Sequence, residues 1–140
     1  MELKAIAWAV ASQENLVLKI LPQERIDNEY CRPNSIRSED LSLDIFHGSD
    51  GPANKALNFV ARRIMKFKSG EELCQYMQAG QRRVLWNFAN TVGEGKNRTI
   101  EFRGGRHLRG RVRTKRWIAF AVSFITLAIE NKVSTGCRKS

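Results

Sequence analysis

The run from Trp117 to Ile129 constrains this chain most. It is apolar apart from Ser123 and Thr126. As a helix it spans about 20 Å, short of the ~30 Å hydrocarbon core of a bilayer. It is therefore predicted as a helix inside the protein, not a membrane span. Trp117, Phe120, Phe124, Ile118, Val122 and Leu127 point in every direction around it, so it needs cover on several sides. Supplying that cover is difficult. The chain has 140 residues, enough for one domain. Its composition is that of a folded chain, with 42% hydrophobic and 27% charged residues. The expected result is incomplete cover, with an apolar face left open on this last helix and a tendency to self-associate.

The remaining elements follow from local pattern. Residues 2–21 are predicted as a helix, since Leu3, Ile6, Ala7, Val10 and Ala11 recur at helical spacing and Pro22 ends the run. Residues 22–53 read as irregular, the loop proper being 34–53, with a polar stretch from Asn34 to Asp40 and the turn-like His47–Gly51. A second helix runs from about Asn54 to Lys68, with Leu57, Val60, Ala61, Ile64 and Met65 on one stripe. Ser69-Gly70-Glu71-Glu72 reads as a capping box opening a short helix to about Met77, closed by Gly80. Alternation predicts strands at Val84–Asn90 and Arg98–Arg103, paired antiparallel around Gly93–Asn97. A Gly- and Arg-rich loop leads to the last helix, Thr114–Asn131. The fold class is α+β, helices packed on an antiparallel sheet fragment in one domain, 1–133, with 134–140 a frayed polar tail.

Charge is local. Of a net +10, most comes from Lys96–Arg116, which holds seven Arg and two Lys against one acid, Glu101. Such a footprint attracts phosphate or nucleic acid. Arg103-Gly104-Gly105-Arg106 resembles the RGG segments that bind single strands, but no aromatic lies between Phe102 and Trp117 to stack bases. Only weak, non-specific nucleic-acid binding is expected. The three cysteines, Cys31, Cys74 and Cys137, are widely spaced and read as free thiols of a reducing, cytoplasmic compartment. With His47 and His107 they form no zinc spacing, and nothing points to haem or flavin.

Glu101 and Arg103 carry the chemistry. At i, i+2 on a strand they share a face, roughly 7 Å apart at the backbone. A carboxylate there can hold Mg²⁺, and a guanidinium beside it can take a phosphate. The same two residues also suit a plain ion pair on a solvated face.

The segment Asn97–Arg103, followed by a loop and a helix opening at Trp117-Ile118, resembles the T-[IV]-E-F-R … W-[IV] signature of the amidoligase family. These are carboxylate–amine ligase-like proteins with a glutamine synthetase-type fold. Three upstream segments resemble the family in the same order: Leu21–Arg25 with Asn28, Tyr30-Cys31 and Pro33; Ser69–Leu73 with Met77; and Val84–Asn90 centred on Asn87. The resemblance implies ATP and Mg²⁺, and a small-molecule carboxylate joined to an amine or peptide through an acyl phosphate. It implies Glu101 as a metal ligand and Arg103 as the catalytic phosphate contact. Asn87, Arg25 and Arg106 are implied as nucleotide- or substrate-binding groups. The family's G-x-E-x-E strand and His-containing strand are not in this sequence, so the chain resembles the C-terminal half of the domain. It is expected to be inactive or nearly so alone, and to self-associate through unpaired strand edges. Two alternatives stand: a non-catalytic remnant of that fold, and a small basic nucleic-acid-binding module.

Overall fold

Helix α1, Glu2–Ile20, is the centre of the protein. It buries Ile6, Ala7, Val10, Ala11 and Val17, the stripe its periodicity implies, and ends at Leu21-Pro22. In the computed structural model residues 1–48, 54–105 and 110–131 are described. After α1 come α2 (Gln23–Ile26), a 3₁₀ turn (Glu29–Cys31), α3 (Asn34–Arg37), α4 (Glu39–Gly48), α5 (Asn54–Lys66) and α6 (Gly70–Gln78). Strands β1 (Trp86–Asn87) and β2 (Glu101–Phe102) follow, and α7 (Arg111–Glu130) closes the chain. The protein is mostly helical with a small two-stranded antiparallel sheet, so its class is α+β. Among the described residues no helix is long and apolar enough to cross a membrane.

The assignment of 22–53 as irregular is corrected at α2, the 3₁₀ turn, α3 and α4, which together make most of residues 23–48 helical; residues 49–53 lie outside the described residues. Ser38 starts α4 by accepting a hydrogen bond from the Leu41 N–H. Leu41 is fully buried, Ile45 packs against the core, and Asp44 accepts from the Tyr76 hydroxyl at 2.9 Å. These residues form an i, i+3, i+4 stripe. The apparent alternation of Leu41, Leu43 and Ile45 hides it, because Leu43 is exposed. In α5, Val60 and Ile64 are buried, whereas Met65 is exposed and off the stripe. The cap of α6 forms with a shift: Ser69 Oγ accepts from the Glu72 N–H, and the Glu72 carboxylate accepts from Lys68 N–H rather than from Ser69. The helix ends with Ala79 and Gly80 both at positive φ.

Both strands are shorter than the alternation predicts, two residues each, paired Trp86↔Phe102 and Asn87↔Glu101. The pairing extends only by single bonds, Arg103 N–H to Leu85 O at 2.9 Å and Leu85 N–H to Arg32 O at 2.8 Å. The second of these caps one edge of the sheet with the chain leaving the 3₁₀ turn.

The last helix has the incomplete cover expected of it. Trp117, Phe120, Phe124 and Ile125 pack toward the core, and Ala128 is buried. Its outer side is open: Val112, Ile118, Val122 and Leu127 are each more than half exposed.

Among the described residues Glu14 is the one buried acid, 6% exposed, on the inner face of α1. It accepts from the Ser35 N–H at 3.2 Å, and burial pushes its carboxyl above the usual glutamate range. The folded state therefore binds this proton more tightly than the unfolded state. Stability from this group is greatest below the ordinary glutamate pKa and falls as pH rises through the raised value. Glu14→Gln keeps an acceptor for Ser35 and removes the buried charge. Thermal melts are expected to place it above the wild type at pH 7, with the gap closing toward about pH 4.

Candidate functional site

The antiparallel register sets Asn87 opposite Glu101, and strand geometry puts Arg103 on the same face as Glu101. The side chains meet. Arg103 Nη2 donates to Glu101 Oε2 at 3.0 Å, and Asn87 Nδ2 donates to the same oxygen at 3.2 Å. Asn87 has no freedom to turn over. Its Oδ1 accepts from Gln78 Nε2 at 2.9 Å and from Ala89 N–H at 3.0 Å, so its NH₂ must face Glu101. Gln78 is held in turn, accepting from Phe88 N–H and donating to Gln81 O, each at 2.7 Å. A chain of fixed amides thus runs from the end of α6 to the carboxylate.

The electrostatics follow. The Arg103 guanidinium holds Glu101 below the usual carboxylate range; partial burial opposes it, and the hydrogen bond from Asn87 adds to the lowering. Glu101 is an anion at neutral pH and a poor proton acceptor.

Glu101 and Arg103 border an open groove of about 740 Å³ with Arg25, Trp86, Phe102 and Trp117. Its floor is aromatic. Trp86 lies 4.4 Å from Phe102 and 4.8 Å from Phe124, centroid to centroid, and Phe102 lies 5.9 Å from Trp117. Gly104 permits this arrangement: a Cβ there would come within 2.4 Å of the Phe102 ring and 2.6 Å of Leu21. Trp86 and Arg103 line the groove, and among the described residues Trp86 Nε1 and Arg103 Nε are buried with no hydrogen-bond partner. An orphaned buried donor is costly and invites an acceptor. Arg25 is placed by α2, and its carbonyl accepts from Cys31 Sγ at 3.0 Å. The Cys31 thiol is pushed up by burial, against Arg25, Arg103 and Arg32 nearby.

Of the residues singled out from sequence, Arg25, Glu101 and Arg103 line one groove and Asn87 stands behind Glu101. Arg106 lies outside the described residues, as do His107 and Cys137. Gln78 was not foreseen, because its partners lie nine and ten residues away on a separate element. Trp86 and Trp117 both line the groove.

Among the described residues Glu101 is the only acid bordering the groove, and they contain no group of three or more His, Cys, Asp or Glu side chains able to hold a metal. A single carboxylate does fit a cation carried on a nucleotide's phosphates, where water and phosphate supply the other oxygens. Comparison with protein-family models, curated proteins and solved structures finds no match.

Proposed function

We propose that the groove is the phosphate-handling side of an amidoligase-like site, in which ATP drives the joining of a carboxyl group to an amine. The observation that carries this reading is Arg103: clamped by Glu101, bordering the groove beside Arg25, with its Nε buried and lacking a partner. An anionic oxygen entering the groove meets the charge of Arg103 and Arg25. In the proposed reaction the substrate carboxylate oxygen attacks the γ-phosphorus as its bond to the leaving ADP oxygen breaks. The amine nitrogen then attacks the acyl carbon, phosphate departs and the nitrogen loses a proton. The chain's own contribution is electrostatic. Arg103 and Arg25 offset charge on the transferring phosphoryl group, and Glu101 with Asn87 keeps Arg103 oriented. The likeness of Asn97–Arg103 to the amidoligase signature supports the same reading.

Calorimetric titration with Mg-ATP tests it. Weak binding is expected, reduced about ten-fold or more by Arg103→Gln, the scale of a lost charged hydrogen bond. Amine- and carboxylate-dependent ADP release is expected to be slight, since the described residues bring one carboxylate to the groove. Binding with no turnover identifies a non-catalytic remnant. Absence of Mg-ATP binding, or binding indifferent to Arg103→Gln, ends the ligase reading.

One observation favours a second reading. Phe102 and Trp117, distant in sequence, come together on the basic groove and supply the aromatic surface that the Arg-rich segment lacks locally. Single strands that bind there in a steeply salt-dependent manner, and displace no nucleotide, mark a nucleic-acid module instead.

A further inference from the structure

The groove is divided by charge. Its ionised side chains, Arg25, Glu101 and Arg103, come from α2 and the β2 segment. Helix α7 contributes none. Arg111, Arg113, Lys115 and Arg116 occupy its first turns, yet none borders the groove; Arg113 and Arg116 line a separate pocket with Leu21 and Pro22. What α7 brings to the groove is Trp117, Ile118, Ala121, Val122 and Ile125, with Thr114 and Thr126 its only polar side chains there. On a helix the run from Ile118 to Ile125 is about 10 Å long. The charged groups are not equally available. Arg103 is paired with Glu101 at 3.0 Å, whereas Arg25 makes no ion pair among the described residues. Two cations against one anion leave the groove a single positive charge among the described residues.

We propose that the groove takes a small carboxylic acid with one charged head and an apolar body, an aromatic ring or a branched chain, and not a dicarboxylic acid. That this acid is the carboxyl substrate rests on the ligase reading; that it binds does not. The head meets Arg25, the cation not already paired. The body lies along α7 and covers Ile118 and Val122, which are 58% and 60% exposed. Apolar surface of ligand and helix leaves water together, which is favourable in proportion to its area. Phe102 and Trp117 add flat surface for a ring. The volume of about 740 Å³ is that of a small-molecule site. A second carboxylate has no counterpart. Where α7 lines the groove it offers no cation, and a desolvated charge without a partner is costly.

NMR titration of the full chain tests the proposal, with and without Mg-ATP, and with circular dichroism confirming that each variant is folded. The probes are propionate for the head alone, phenylpropionate for head and ring, and glutarate for a second charge. Phenylpropionate is expected to bind at least about ten-fold more tightly than either of the others. Arg25→Gln weakens propionate and phenylpropionate by the same factor. Val122→Asn, or Ile118→Asn as an independent second variant, lowers the ratio between the two several-fold, because only the ring reaches α7. Val122→Lys places a cation there and moves the preference toward glutarate. Glutarate bound as tightly as phenylpropionate by the unaltered chain, a ratio that neither α7 substitution changes, or no binding of any acid under both conditions overturns the proposal. Mg-ATP binding that still depends on Arg103 leaves the ligase reading standing after such a failure. The expected acid profile in a chain that does not bind Mg-ATP upholds the site for apolar acids and ends the ligase reading.

Discussion

Asn34→Ala is expected to be the most damaging single change outside the apolar core. Asn34 is fully buried on α3, and its amide holds three backbone groups: Nδ2 donates to Met77 O at 3.0 Å and Trp86 O at 2.9 Å, and Oδ1 accepts from Trp86 N–H at 3.0 Å. One side chain therefore fastens α3 to the end of α6 and to β1. Truncation strands all three groups away from water. At about 1–3 kcal/mol for each unsatisfied buried group, and with some relaxation, the loss is about 3–5 kcal/mol. That is a large part of the total stability of an ordinary domain. Chemical denaturation is the direct measurement, and a fall of less than about 1 kcal/mol shows that the network is not stabilising. Asn34→Asp discriminates further. It keeps the acceptor for Trp86 N–H and loses both donated bonds, so it is expected to be at least as harmful at neutral pH, where a buried anion is added.

Trp86→Ala is expected to cost a similar amount, about 3–5 kcal/mol, because a large buried ring leaves a cavity. Trp86 is 2% exposed and lies between Phe102 and Phe124, joining β2 to α7. On α7 itself only Ala128 is buried. The near-ultraviolet circular dichroism of the aromatic cluster is expected to collapse along with stability. Trp86→Phe separates packing from binding. It retains a ring in the stack and removes the orphaned Nε1 donor, so stability is expected to fall much less. Any loss of ligand affinity in that variant then reports on the donor.

The candidate site was legible in part. Glu101 and Arg103 could be placed on one face from their spacing, because side chains alternate along any strand. Asn87 could be placed beside them from the hairpin reading, and register then set it opposite Glu101. The direction of its amide could not be read. That depends on Gln78, which sits on a helix and reaches the strand only after α6 packs against it. The groove was hidden for the same reason: Arg25, Trp86 and Trp117 lie on three separate elements. The helices over 34–48 were missed because their stripe is short. Their stability comes from Tyr76, Met77 and Trp86, all far along the chain.

By itself the sequence determined what covalent geometry and local periodicity dictate. These are the long first and last helices, the capped α6, the antiparallel pair, and the shared face of Glu101 and Arg103. It also determined that an apolar closing helix in a chain of this length lacks enough neighbours to surround it. Tertiary structure decided the rest: the helicity of 34–48, the turn of the Asn87 amide, the donors left unsatisfied at Trp86 and Arg103, and which side of α7 remains open. Each of these depends on contacts between residues distant in sequence. Hydrogen bonds of buried amides and the stacking of Trp86, Phe102 and Phe124 have no fixed spacing along the chain, so only packing could select them.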